Sequence, residues 1–86
     1  LRLILCEPFV LRVGAVDDSW FPEFDHRRAV VRQLAEEFDA VFVPFQRCFD
    51  DAIEAAPPAY WAHDGVHPTV AGHMRMSRCW LDTVQG

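Results

Sequence analysis

Lysine is absent from this 86-residue sequence, and its eight basic residues are all arginines. They stand against thirteen acidic residues, which gives a formal net charge of −5 at pH 7. A protein that binds nucleic acid would show a basic stripe or patch, and docking on an anionic membrane also requires clustered basic residues. The charge balance therefore argues against both kinds of partner.

Long hydrophobic runs are also absent, although 51% of the residues are hydrophobic. The longest unbroken runs, such as Ala40–Val43, have four residues, far fewer than the roughly 20 that a membrane-spanning helix needs. No charged segment followed by an apolar one opens the chain, so no signal peptide is recognised. A composition this apolar argues against a disordered chain and predicts a soluble globular piece.

The chain begins with leucine and enters an apolar run at once, from Leu3 to Cys6. Natural domains usually begin with a few loosely held polar residues. We therefore expect further sequence upstream of Leu1. If so, the lack of a visible leader says little about export.

Cysteine is scarce, and Cys6, Cys48 and Cys79 form no Cys-x-x-Cys pair. A secreted mini-domain stapled by disulfides would carry an even and denser set. The pattern favours buried free thiols, with a single disulfide plus one spare thiol as the alternative. Without a visible leader or a disulfide pattern, a cytoplasmic location is favoured.

The first half of the chain has the pattern of a βαβ unit. Residues 2–6 form a short apolar run without alternation, which is typical of a strand buried on both faces of a parallel sheet. After a long loop over residues 7–23, a helix is predicted from Asp25, as its N-cap, to Phe38. A second apolar run at Val41–Val43 completes one parallel crossover. The apolar stripe expected on the helix consists of Val30, Val31, Leu34 and Phe38.

The second half of the chain predicts a short helix, a polar loop and a long last helix. The short helix lies near Phe49 to Ala55, the loop covers residues 59–69, and the last helix runs from Val70 to Val84. The side chains expected along one stripe of the last helix are Val70, Met74, Ser77, Leu81 and Val84. Two parallel strands alone leave bare edges. We therefore expect residues 1–86 to be the C-terminal portion of a larger α/β sheet.

The most informative segment is the loop before the last helix, where Asp64 and His67 stand three residues apart. Gly65 can adopt the positive φ of a tight turn, and Pro68 keeps His67 out of the helical region. The helix then begins at once, with Pro68 in its first turn or Thr69 as its N-cap. The pattern predicts a histidine just before the N-terminus of a helix, with a carboxylate close enough to form a hydrogen bond with it. That pair is the base and the orienting group of a nucleophilic triad.

Residues 64–69 (Asp-Gly-Val-His-Pro-Thr), with Gly-His at 72–73 and Trp-Leu at 80–81, resemble the last conserved block of the SGNH, or GDSL-type, esterases and lipases. That block is an Asp-x-x-His-Pro signature near the C-terminus. The preceding order is also similar: a strand ending in Glu-Pro-Phe, a long loop, a helix, and a strand near residues 41–44. The resemblance covers essentially the whole chain, as the C-terminal portion of that family's single domain.

The resemblance implies a carboxylic ester hydrolase, either an esterase or lipase or a carbohydrate deacetylase, on a flavodoxin-like three-layer α/β/α sheet. His67 would be the general base and Asp64 its orienting carboxylate, with no metal or organic cofactor. The family's serine stands in a Gly-Asp-Ser motif near the N-terminus, whereas Ser19 and Ser77 stand in other contexts. The missing N-terminal part would supply the nucleophile that attacks a small-molecule ester. The 86 residues alone are expected to be inactive.

Other interpretations of the histidines remain open. His63, His67 and His73, with Asp64 or Cys79, could form a metal site, but zinc ligands on a helix normally stand four residues apart on one face. Without that site, His63 is expected in solvent and His73 partly buried. A non-catalytic relative of the same fold, which binds a ligand or a partner protein, is a further alternative.

Tyr60 and Trp61 immediately precede the motif. Exposed aromatic rings there would line a substrate pocket, as aromatic side chains often do in ligand clefts. Buried rings would belong to the core instead. Both residues are therefore carried forward as candidate substrate-binding residues.

Overall fold

A computed structural model describes residues 2–86, which form two short parallel strands and a set of helices. The strands are β1 (Ile4–Cys6) and β2 (Val41–Val43). A 3-10 turn at Asp18–Trp20 leads into the first helix. The helices are α1 (Phe21–Glu37), α2 (Phe45–Ala52), α3 (Pro58–Trp61) and α4 (Val70–Gln85).

The predicted βαβ unit is confirmed. β1 and β2 are parallel, with Ile4 opposite Val41 and Cys6 opposite Val43, and α1 connects them. α1 packs against both strands, and α4 packs against β2. The chain is therefore of the α/β class, and α4, which follows the residue 62–69 loop, is anchored to this unit.

Two helices begin earlier than the sequence predicts. α1 begins at Phe21 rather than after Asp25, because Pro22 lies in its first turn, where a missing N–H costs no hydrogen bond. α2 begins at Phe45 rather than near Phe49. Its preceding residue, Pro44, provides no side-chain cap, so the cap comes from elsewhere in the chain.

The core lies between the loop after β1, α2 and the inner face of α4. One cluster contains Leu11, Phe49 and Ala62, and a second contains Val43, Phe45 and Cys79. Phe9 and Met76 pack against both clusters and join them. The loop after β1 is thus part of the core, since Val10 and Leu11 are buried.

The predicted stripe of α4 is wrong. Val70 and Met74 are 79% and 70% exposed, while Gly72 and Cys79 are the buried residues of this helix. The buried face is set by Gly72, because a Cβ at that position would collide with the carbonyl group of Trp61. α1 behaves similarly, since Ala35 is buried while three members of its predicted stripe are exposed: Val30, Leu34 and Phe38.

The prediction of buried free thiols is wrong at all three cysteines. Cys48 and Cys79 form a disulfide between α2 and α4, and their Cα atoms lie 6.4 Å apart, within the range that a disulfide spans. Cys6 is free but exposed. The 31-residue separation of the bonded pair carries no local signal, because only packing of α2 on α4 brings the two together. One of the two grounds for a cytoplasmic location is therefore lost.

No helix among residues 2–86 combines the length and the apolar character needed to cross a bilayer.

Candidate active site

Asp64 and His67 are hydrogen-bonded to each other through their side chains. Oδ2 of Asp64 lies 2.6 Å from Nδ1 of His67. Oδ1 of the same carboxylate accepts from the backbone N–H of His67 at 2.7 Å and from that of Val66 at 2.9 Å. One carboxylate therefore holds both the backbone and the ring of His67, and this contact was anticipated from their spacing.

Gly65 makes this turn possible. Its φ is +86°, a region that side chains rarely adopt, and a Cβ there would collide with the carbonyl oxygen of Leu11 and a methyl group of Val16. Its N–H donates to the carbonyl of Ala62, and its carbonyl accepts from the N–H of Leu11 at 2.9 Å. The turn is therefore fastened to the loop after β1.

Thr69 closes the other end of the loop and is the N-cap of α4. Its Oγ1 accepts from the N–H of Gly72 at 3.0 Å. The same hydroxyl lies 2.7 Å from the carbonyl oxygen of Tyr60 and 3.1 Å from that of Trp61. Of the two helix starts considered from the sequence, the structure has the Thr69 cap, with Pro68 just before it.

The electrostatics of the turn favour an ionised Asp64. Its pKa lies well below its ordinary value, first because of the backbone N–H of His67, then the His67 side chain and the backbone N–H of Val66. An ionised carboxylate only accepts hydrogen bonds, so Nδ1 of His67 carries the proton. Nε2 of the neutral ring is then a free acceptor. It makes no hydrogen bond to any residue between 2 and 86, and the side chain is 78% exposed.

The other two histidines near the turn lie apart from it. His63 is exposed, as expected, and His73 is also exposed, which contradicts the prediction that it is partly buried. His73 follows Gly72 on α4, and the buried face of that helix is rotated away from it. Across the described residues, no group of three or more side chains is arranged to hold a metal ion. Cys79, a ligand in the metal alternative, is bonded to Cys48.

Neither serine belongs to the turn. Ser19 donates from both its backbone N–H and its hydroxyl to Oδ1 of Asp17, which caps the 3-10 turn. Ser77 is exposed on α4. The pair Asp64–His67 is thus a base with its orienting group, and its hydrogen-bonding network contains no hydroxyl nucleophile from residues 2–86.

The two candidate aromatic residues have different surroundings. Trp61 is half-buried, packs against the Leu11–Phe49–Ala62 cluster and donates from its indole N–H to the carbonyl of Ala56 at 3.1 Å. Tyr60 is exposed, and its ring lies nearly perpendicular to that of Trp61, with the ring centroids 4.8 Å apart. Trp61 therefore has a packing role, and Tyr60 alone presents its ring to solvent.

Glu7 and Gln46 are two buried polar residues that hold the loop after β1, and the sequence pattern indicates neither of them. Oε1 of Glu7 accepts from the N–H of Gln46 at 2.9 Å, which caps α2 from a distance. The Gln46 side chain binds both backbone groups of Val10 at 3.0 Å. Both partners are more than 35 residues away in sequence, so no local pattern indicates these bonds.

Comparison with known proteins identifies the family. A scan against protein-family models finds no match. The chain is 39% identical over 79 residues to an acetylxylan esterase from Geobacillus stearothermophilus, and this match covers 92% of the chain but 36% of that protein. The crystal structure of an acetylxylan esterase from the same organism superposes with a TM-score of 0.85 at 36% identity, over 99% of this chain and 38% of the other.

A second solved structure is more similar. It is assigned as a GDSL-like lipase from Parabacteroides merdae, with a TM-score of 0.93 and 48% identity over 98% of this chain and 39% of the other. The fold and the solved neighbours together place the chain in the α/β class. The chain belongs to the SGNH/GDSL esterase family. It spans less than two-fifths of the length of these relatives.

The acetylxylan esterase has also been solved as catalytic mutants. In these, a serine, an aspartate or a histidine is replaced by alanine. The aspartate and the histidine lie three positions apart in that protein, and the serine lies far upstream of both.

Proposed function

We propose that this chain is the C-terminal portion of a carboxylic ester hydrolase in which His67 is the general base and Asp64 its orienting carboxylate. The observation that carries the proposal is the 2.6 Å contact between Oδ2 of Asp64 and Nδ1 of His67, which leaves Nε2 exposed and free to accept a proton. A relative whose catalytic aspartate and histidine have the same spacing supports it.

The proposed reaction uses a serine from the remainder of the domain. Nε2 of His67 removes the proton of the serine hydroxyl as its oxygen attacks the ester carbonyl carbon. The carbon–oxygen bond to the alcohol then breaks, and His67 returns the proton to the leaving alcohol oxygen. Water, activated by the same nitrogen, hydrolyses the acyl-enzyme. Asp64 holds the Nδ1–H tautomer and stabilises the imidazolium that forms between these transfers.

The proposal includes a larger, flavodoxin-like sheet that residues 1–86 complete. In the parallel pairing, Leu3 and Glu7 bond to β2, so the backbone groups of the alternate residues Ile4 and Cys6 face away from it. A further parallel strand would satisfy them. The exposed apolar side chains of α4, Val70 and Met74, would be covered by the same remainder of the domain.

The proposed substrate is an acetyl ester on a carbohydrate, because the named relatives include an acetylxylan esterase and an acetyl-xylooligosaccharide esterase. Tyr60, exposed beside the turn, is proposed to contact it. The turn itself restricts only the position of the reacting ester. Substrate choice would depend on the pocket that the rest of the domain builds around Nε2.

The decisive experiment is His67→Ala in the complete gene product, assayed by acetate release from acetylated xylooligosaccharides and from 4-nitrophenyl acetate. We expect kcat to fall by about ten-thousandfold or more. The melting temperature should change little, because the His67 ring is exposed. His63→Ala, an exposed histidine in the same loop, is the matched control and should retain activity. An active His67→Ala enzyme would rule out the assignment.

The domain proposal has its own test, which is the reading frame upstream of Leu1. We expect it to encode a strand ending in Gly-Asp-Ser, more than a hundred residues earlier. A start codon directly before Leu1 would instead leave Asp64 and His67 without a nucleophile and would favour a binding role.

A further inference from the structure

We propose that Gln46 is a positioning residue for His67, which acts through the backbone of Val10, Leu11 and Gly65. This inference rests on the proposed function, because it concerns the same histidine. Gln46 lies on α2 and has no contact with the reacting atoms.

The first link is the pairing of the Gln46 amide with Val10. Oε1 accepts from the Val10 N–H and Nε2 donates to the Val10 carbonyl, each at 3.0 Å. Val10 is fully buried and lies in no helix or strand. Because buried backbone groups need partners, the Gln46 amide takes the place of a neighbouring strand for this residue.

The second link joins the next residue to the catalytic turn. The N–H of Leu11 donates to the carbonyl of Gly65 at 2.9 Å. The Leu11 carbonyl and a Val16 methyl group close the space beside the Gly65 Cα. Gly65 follows Asp64 directly, so a shift of the loop moves the carboxylate that holds His67.

Gln46 is itself held firmly. Its backbone N–H donates to Oε1 of Glu7 at 2.9 Å, and its Nε2 also donates to Oδ1 of Asp50 at 3.1 Å. Its side chain is only 5% exposed. Hydrogen bonds hold both the backbone N–H and the side-chain amide of Gln46, so the position of α2 is coupled to that of the loop. A mobile surface glutamine would not couple them.

The test uses Gln46→Leu in the complete gene product. Leucine has a similar volume but leaves both Val10 backbone groups unpaired. We expect kcat to fall by roughly 10- to 100-fold with little change in KM, because a displaced base slows the chemical step. The downfield Nδ1 proton resonance of His67, which reports its bond to Asp64, should shift or broaden.

Two controls separate positioning from general destabilisation. Gln33→Leu makes the same chemical change on the exposed face of α1 and should leave both kcat and the resonance unchanged. Val43→Ala destabilises the buried core at β2, away from the turn. Val43→Ala should lower the melting temperature. Well below that temperature, it should leave both kcat and the His67 resonance unchanged.

The outcomes are distinct. If Gln46→Leu loses no more kcat than Val43→Ala and keeps the resonance, the positioning role is wrong while the proposed function stands. If His67→Ala stays active, the proposed function fails irrespective of Gln46. If Gln46→Leu does not fold, Gln46→Glu decides, since it keeps the acceptor for the Val10 N–H but loses the donor. Wild-type kcat and resonance in Gln46→Glu would also overturn the inference.

Discussion

Two regions meet at Thr69 and differ in how they are stabilised. On one side, the loop of residues 62–69 satisfies its polar groups within itself or through neighbouring backbone, and its functional side chains face solvent. On the other side, α4 leaves Val70 and Met74 largely exposed to solvent. The bonds that hold His67 lie within the turn, and one backbone bond from Leu11 fastens the turn to the loop after β1. The outer face of α4, in contrast, lies in solvent. The geometry of the Asp64–His67 pair is therefore set within residues 2–86, whereas those residues leave the outer face of α4 exposed.

After His67→Ala, the largest expected effect comes from Asp64→Asn, which keeps the turn but changes the position of the imidazole proton. The Asn oxygen can still accept from the two backbone N–H groups, while its NH₂ group would face Nδ1 of His67 and place the ring proton on Nε2. Nε2 would then donate rather than accept. We expect kcat to fall by up to about ten-thousandfold with little change in melting temperature.

The matched control is Asp17→Asn, since Asp17 also caps a short turn through Oδ1 but has no histidine partner. It should leave kcat unchanged. Near-normal kcat in Asp64→Asn would show that the carboxylate does not select the tautomer.

The next effect tests the other region. If the remainder of the domain covers α4, Met74→Ala should destabilise the complete protein by about 2 kcal/mol or more, as truncation of a buried methionine does. If the face stays in solvent, the change should be within about 0.5 kcal/mol. Urea denaturation of the complete protein measures it, with Arg78→Ala on an exposed part of the same helix as control. A loss of stability within about 0.5 kcal/mol for Met74→Ala would show that the outer face of α4 is not covered in the complete protein.

Gly72→Ala should have a smaller effect at the boundary of the two regions. Alanine favours the helix by about 1 kcal/mol, but its Cβ would meet the backbone carbonyl of Trp61 and push α4 away. We expect a net loss of roughly 1 kcal/mol, up to about 3 kcal/mol. Ser77→Ala, exposed on α4, should be neutral or slightly stabilising. A stabilised Gly72→Ala protein would mean that α4 is free to move away from Trp61.

The smallest expected effect is the change in folding stability with pH. Because the pKa of Asp64 is lowered from its ordinary 3.8, the unfolded chain takes up the proton first as the pH falls. The stabilisation from the ionised carboxylate is therefore complete above about pH 4 and is lost as the pH falls through the folded-state value. A carbon NMR titration of the Asp64 carboxyl should give a midpoint below 3.8.

The same titration in His67→Ala sharpens the comparison. The largest cause of the lowered pKa is the backbone N–H of residue 67, which alanine retains. The midpoint should therefore stay below 3.8 without the imidazole. A midpoint at or above 3.8 would show that the turn depends on the ring rather than on its backbone.

Sequence-based prediction succeeded where each segment of the chain carries its own pattern. The parallel pair β1–β2, the turn at Gly65 and the helix start at Thr69 follow from apolar runs, a permissive glycine and a hydroxyl cap. It failed for the buried face of α4, because amphipathic spacing does not report that Gly72 contacts a carbonyl eleven residues earlier. It also failed for the disulfide and for His73.

By itself, the sequence determined the α/β class and the parallel crossover, because each strand and the helix between them has its own hydrophobic pattern. It also determined the contact between Asp64 and His67, because that contact lies within one turn. Tertiary structure alone decided which helix faces are buried, that Cys48 meets Cys79, and that Glu7 and Gln46 support the loop beneath Gly65. The disulfide and the bonds of Glu7 and Gln46 join partners that are 31 to 39 residues apart in the sequence. Their residue types carry no local signal, because a buried polar group can find its partner anywhere that the chain folds back.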